Sequence, residues 1–203
     1  MVKIFFWGIT FAILAIFAHW NEFFPIDPVI SQQIQSINLP YFNSLMEITT
    51  VIGNLTGTLL IIALISLALL ARKKIQESIF FLVATATSEL SVSVIKELVA
   101  RPRPDGGIVY ILGDINGLSF PSSHVTNYIV IFGLISIFIH QYTQNNWLRH
   151  GILAVFILLI ALGGLSRIYL GVHWPSDVLG GYFYGSLLLT IYSYLYKRLV
   201  KKF

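Results

Sequence analysis

The sequence predicts an all-α fold, a bundle of six transmembrane helices with a short extracytoplasmic interfacial helical segment. Three observations predict it. Of 203 residues, 56% are hydrophobic and 11% charged, and mean hydropathy is +0.79. A water-soluble domain carries about a quarter charged residues, so both a soluble globule and a disordered chain are excluded. The apolar residues gather into six long runs, and the cations sort to one side of them. A helical span takes roughly 20 residues, so six spans fill the chain and residues 1–203 read as one domain in the lipid bilayer.

The runs are Ile4 to Ala18, Leu55 to Leu70, Ile79 to Ile95, Val125 to Ile139, Ile152 to Leu165 and Val178 to Tyr194. Several are shorter than a span, so their helices are expected to extend into the polar flanks. The first run lacks an A-x-A cleavage site and reads as a retained helix rather than a signal peptide. Between the first two runs, Asp27-Pro28 reads as an N-cap followed by proline at the first helical position. Ile30, Ile34 and Ile37 then share a face opposite Gln32, Gln35 and Ser36, the pattern of a short helix at the outer interface or packed in an outer loop.

The cations orient the spans. With both termini cytoplasmic, the inner segments carry Lys3, Arg72, Lys73, Lys74, Arg149, Lys197, Arg198, Lys201 and Lys202, nine of the 13 Lys and Arg. This distribution accounts for the net charge of +4 without nucleic acid as a partner. Lys96, Arg101, Arg103 and Arg167 remain, all at the outer ends of the third and fifth spans. Cations are disfavoured on that side unless something uses them.

Three outer clusters carry chemistry. In Lys96-Glu-Leu-Val-Ala-Arg101-Pro102-Arg103-Pro104 the prolines stop the helix. Lys96 therefore falls on its last turns, and Arg103 on an extended segment that can fold back. Alone, these cations would be read as snorkelling to headgroups. Ser119-Phe-Pro-Ser122-Ser123-His124 leads into the fourth span. Its serines suit N-caps, but a helix N-terminus also offers free N–H groups and positive dipole to an anion such as phosphate.

In the third cluster, Ser166-Arg167 is followed by five residues, His173, three residues and Asp177. The carboxylate can accept a hydrogen bond from one ring nitrogen and leave the other a better base or nucleophile. Arg167 adds a fork for a tetrahedral oxyanion. Together the clusters assemble cations, hydroxyl donors and two histidines, a set suited to holding and transferring a phosphoryl group. His124, His173 and Asp177 could also be read as zinc ligands. Three neighbouring cations would repel a divalent ion, so no metal and no cofactor is expected.

The same residues resemble the three signature motifs of the type 2 phosphatidic acid phosphatase superfamily: Lys96 with Arg103-Pro104, Pro121-Ser122-Ser123-His124, and Ser166-Arg167 with His173 and Asp177. The six-span layout is similar to its bacterial membrane-integrated branch. Ser123 departs from the usual glycine but keeps the backbone N–H used at that position. The resemblance implies His173 as nucleophile forming a phosphohistidine, Asp177 orienting it, and His124 as general acid. It implies that Lys96, Arg103, Ser122, Ser123 and Arg167 cradle the phosphate, whereas Arg101 is not part of the invariant pattern. The residues by themselves leave open whether His173 attacks phosphorus or activates water.

The expected function is therefore removal of a terminal phosphate from a membrane lipid phosphate or diphosphate at the outer face, with the tails entering sideways between helices. Phosphatidylglycerophosphate and undecaprenyl diphosphate lead, with phosphatidic acid behind. A lipid-to-lipid phosphotransferase could use the same site, and an anion transporter or channel would need the basic cluster but not the His173/Asp177 pair. No oligomeric state is assigned.

Glu89, seven residues before Lys96, is expected either to support Lys96 or a headgroup path or, with Thr85, Thr87, Ser88, Ser91 and Ser93, to hydrogen-bond between helices. Gly163-Gly164 and Gly180-Gly181 are expected to let helices approach closely. Trp7, Trp20, Trp147 and Trp174 read as interface anchors, Trp174 also standing at the entrance.

Overall fold

The computed structural model describes residues 2–113 and 115–200; Lys201 and Lys202, counted above among the inner cations, lie outside them. Eight helices follow one another, with no strand among the described residues. They are α1 (Val2–Trp20), α2 (Ile26–Gln35), α3 (Phe42–Gly53), α4 (Leu55–Ala71), α5 (Ile75–Val99), α6 (Ser123–Tyr142), α7 (Asn146–Tyr169) and α8 (Pro175–Leu199).

Five of these, α1 and α5 to α8, are long and apolar enough to cross a membrane. As expected, they extend beyond the apolar runs, by a few residues in α1 and α6 and by more in α5, α7 and α8. The run at Leu55 behaves differently. It forms the 17-residue α4, which passes the same test only when paired with α3, and the two are bent by 57°. Asn54 sits at the break in extended conformation and its side chain accepts from Gly57 N at 2.8 Å, so it restarts the helix as an N-cap.

The outer surface of the bundle is apolar. In α1 only Phe11 and Ala18 are buried, while Phe5, Ile9, Ile13, Ile16 and Phe17 all face outward. A surface of this kind is stable in hydrocarbon, where the helical ladder satisfies every backbone group internally. The centre is α6, flanked by α5, α7 and α8. Its Val130, Leu134 and Phe138 pack with Phe81 of α5 and Tyr192 and Tyr196 of α8.

α1, α5 and α7 end, and α4, α6 and α8 begin, at one end of the bundle, where His19 Nδ1 lies 3.1 Å from Val99 O and Ser122 N donates to Asp177 O at 3.1 Å. α2 lies across that end. Its start corrects the sequence reading: the helix begins at Ile26 behind Pro25, and Asp27 is not its N-cap. Asp27 is instead buried and accepts from Phe24 N at 2.8 Å, among other donors described below. Ile34 packs inward against Ile168 and Val178, so this side of the helix is core. The polar face grips the 105–112 loop: Gln32 Nε2 donates to Ile108 O at 3.0 Å, and Gln35 both donates to Tyr110 O at 2.7 Å and accepts from Tyr110 N at 3.0 Å.

Candidate active site

α5 stops at Val99, where Ala100 takes a left-handed cap conformation with φ of 52°. Lys96 is on the last turn, as its spacing from the prolines predicts. Its Nζ donates to Leu118 O at 2.5 Å, which pins the loop running into α6. Arg103 folds back over the same loop, with Nε donating to Gly117 O at 3.2 Å and Nη1 to Val172 O at 2.8 Å.

The turn from α7 into α8 delivers His173. Gly171 has φ of +69°, and a Cβ there would collide with the carbonyl oxygen of Tyr110. Only glycine combines that backbone conformation with so close an approach. Beyond it His173 N points back to Arg167 O at 3.3 Å, and the imidazole is buried. Asp177 is the third residue of α8, where its Oδ2 accepts from Trp174 N at 2.8 Å. This carboxylate is thus part of a helix start as well as a neighbour of His173.

The imidazole is bracketed on both nitrogens. Nδ1 lies 3.5 Å from Asp177 Oδ2 and 3.4 Å from Ser119 Oγ, and Ser119 in turn donates to Asp177 Oδ2. Asp177 therefore reaches the ring both directly and through Ser119. On the other edge Arg103 Nη1 stands 3.4 Å from Nε2. A guanidinium can only donate, so these partners favour the tautomer with the proton on Nδ1 and the lone pair on Nε2. Burial first, and then the charges of Arg103, Lys96, Arg167 and His124, hold the His173 pKa well below the ordinary histidine value. Burial likewise lowers Arg103, against the pull of Asp177.

Ser122 occupies the N-cap position of α6 but makes no side-chain cap bond, so the plain capping interpretation of this serine fails. Its Oγ is buried without a partner, as are His124 Nε2 and Arg167 Nε. Arg167 is otherwise held by Nη1 donating to Thr50 Oγ1 at 2.5 Å. All three residues belong to the predicted site, and Ser31, Ser66 and Ser88 carry the other unpaired buried side-chain atoms among the described residues. Ser123 opens α6 and, with His124, lines a groove of about 650 Å³ that runs between α4, α5 and α6 among Leu59, Ile62, Leu82 and Ile131. Gly53 at the end of α3 closes on His124, where an added Cβ would lie 2.8 Å from the ring.

Arg101 is the residue that sequence reasoning set aside. Its guanidinium is buried and donates to Asp177 Oδ1 at 2.5 Å, Ser176 Oγ at 2.8 Å and Asp27 Oδ2 at 3.1 Å. Ser176 returns to Asp27 through its N at 2.9 Å and its Oγ at 2.6 Å. This network ties α2 to the start of α8 and fills the second oxygen of Asp177. The only hint in the sequence was a fourth cation outside the segments that the charge pattern assigns to the cytoplasm. Trp174 is a further difference, buried against Phe23 rather than anchored at an interface.

No group of three His, Cys, Asp or Glu side chains among the described residues is arranged to hold a metal ion. The polar residues of α5 mostly bond their own helix: Thr85 Oγ1 donates to Phe81 O at 2.9 Å and Ser91 Oγ to Ser88 O at 2.7 Å. Interhelical bonds are made by Thr87, 2.9 Å from Tyr192 Oη, and by Glu89, which accepts from Asn127 Nδ2 at 2.7 Å.

Residues 77–201, which hold all three clusters, match the profile of the PAP2 superfamily. The chain belongs to this family. It is 31% identical over 188 residues to phosphatidylglycerophosphatase B of Bacillus subtilis, covering 89% of this chain and 88% of that protein. It is also 34% identical over 136 residues to decaprenylphosphoryl-5-phosphoribose phosphatase of Mycobacterium tuberculosis, 65% of this chain and 68% of that one. The crystal structure of a transmembrane PAP2-type phosphatidylglycerolphosphate phosphatase from Bacillus subtilis superposes with a TM-score of 0.88 at 28% identity, over 98% of both chains. The apolar helices and this PAP2 kinship make the chain a multi-pass membrane protein.

Proposed function

We propose that the chain, a lipid phosphate phosphatase of the PAP2 superfamily, removes the terminal phosphate of a membrane lipid phosphate or diphosphate without a metal ion, at the extracytoplasmic face. Phosphatidylglycerophosphate and undecaprenyl diphosphate are the leading candidate substrates, with phosphatidic acid behind them. In this reading α3 and α4 together make the sixth span, α2 is the outer segment and both termini are cytoplasmic.

One observation carries the mechanism. His173 presents Nε2 beside the Arg103 guanidinium, while its Nδ1 faces Ser119 and Asp177. The lone pair of Nε2 attacks phosphorus and forms the N–P bond. The P–O bond to the lipid breaks, and His124 gives its proton to the departing oxygen. The phosphorylated imidazole, now cationic, is stabilised by Asp177. Lys96, Arg103, Arg167, Ser122 and the N–H groups at Ser123 hold the phosphoryl oxygens and spread the transition-state charge that a metal would otherwise screen. Water then attacks phosphorus, the N–P bond breaks and returns its electron pair to Nε2, His124 recovers a proton from the water, and inorganic phosphate leaves. The groove beside Ser123 and His124 supports sideways entry, since it keeps the chains in an apolar lining while the headgroup reaches the cradle.

The test is phosphate release by purified protein from a panel of lipid phosphates with EDTA present, wild type against His173→Ala. Activity is expected to survive chelation and to vanish in the variant. Loss with EDTA, or a fully active variant, would overturn the mechanism.

A further inference from the structure

Among the described residues Glu89 is the one acidic side chain in the wall of the groove that leads to His124, and the mechanism above has no use for it. It lies in the interior of α5, where a carboxylate is costly unless it serves a polar path. Seven residues separate it from Lys96, so the two share a face of α5 about 10 Å apart along its axis. Asn127 stands one turn after Ser123 and His124 on α6, and lines the same groove. The bond from Asn127 Nδ2 to Glu89 Oε2, 2.7 Å, joins α5 to α6 in the wall of the groove that Ser123 and His124 also line. It uses one carboxylate oxygen, and Glu89 remains exposed to the groove.

His124 protonates the leaving oxygen, so the leaving group lies on the His124 side, and its first atoms pass the Asn127–Glu89 pair. We infer that Glu89, held by Asn127, is a specificity-determining residue that favours lipid phosphates whose leaving group is a hydroxyl-bearing alcohol over diphosphates. A polyol offers O–H donors that the carboxylate accepts. A diphosphate instead places a second phosphate anion against it, and like charges in a low-dielectric groove repel strongly. In a glycerophosphate headgroup the next anion lies a whole glycerol unit further away. This inference rests on the phosphatase reading and narrows its substrate class.

The experiment compares two lipids with the same dioleoylglycerol tail, phosphatidylglycerophosphate and diacylglycerol pyrophosphate, as kcat/KM for phosphate release by the full chain in detergent. Wild type is expected to favour the former. Glu89→Gln keeps the acceptor for Asn127 and removes the charge, and should lower that preference about tenfold. Glu89→Asp, which retains a carboxylate, should restore most of it. Parallel loss on both lipids in both variants would make Glu89 a strut between helices and overturn the inference. An unchanged preference in Glu89→Gln would overturn it as well. Phosphate release from neither lipid by the wild type would instead remove the underlying phosphatase reading, and is told apart because it appears before any substitution.

Discussion

Arg101 divides its guanidinium between two buried carboxylates, Asp27 at 3.1 Å and Asp177 at 2.5 Å. Buried charges are tolerated only when paired, and removing one partner strands the others at a cost of about 3–5 kcal/mol. Arg101→Ala should therefore lower stability by that order and also reduce turnover, because Asp177 loses the partner that orients it towards His173. Thermal unfolding in detergent reads the first effect, and phosphate release the second. The double variant Arg101→Ala with Asp27→Leu should recover part of the stability, since it deletes one stranded charge. Lys96, Arg103 and Arg167 could be singled out in the sequence because they fall outside the segments that the charge pattern assigns to the cytoplasm. Arg101 stood there too, but its partners lie 74 and 76 residues away, and no local pattern announces such a pair.

At the level of elements, helix ends do most of the positioning. α5 ends to present Lys96, α6 begins behind Ser122 with that residue's hydroxyl unpaired, and α8 begins with Asp177 as its third residue. The apolar runs made the long helices legible, because periodicity and hydropathy are local properties. The α2 boundary and the α3–α4 bend were not, since each depends on what the ends meet: Asp27 gave up capping for Arg101 and Ser176, and Asn54 restarts a helix directly after α3. Gly171 shows the strongest constraint on a connection. Gly171→Ala must take φ of +69° and push the Tyr110 carbonyl away. Such a change should destabilise by more than about 1 kcal/mol. It should also displace His173, so activity is expected to fall further than the shift in thermal midpoint alone would explain. A variant with wild-type turnover would mean that the turn does not set the imidazole.

For the whole molecule, the proposed topology has a direct assay because the chain contains no cysteine. Lys73→Cys, in the α4–α5 turn, should react with an impermeant thiol reagent only from the cytoplasmic side, and Gly106→Cys, in the α5–α6 loop, only from outside. Labelling with the sides exchanged would invert the topology. Fold stability should also depend on pH through His173. Its folded pKa is depressed, so below about pH 6.5 the unfolded chain takes up a proton that the folded one refuses. Stability then falls as pH drops through that value. The thermal midpoint of wild type should decline between about pH 7.5 and pH 5.5, and His173→Gln should show a shallower decline. Equal slopes would mean that the His173 environment is more polar than its burial indicates.

Hydropathy and motif spacing are written along the chain, so the membrane-spanning class, the family resemblance and the residues from which a phosphate site could be built were legible before folding. Only the tertiary structure decided that Ser119 bridges Asp177 and His173, that Arg101 and Asp27 brace Asp177 from behind, and that Glu89 and Asn127 meet in the groove. Those contacts arise where helix ends and side chains from distant segments converge in a buried volume. Their energies exist only once the packing that excludes water has brought them together.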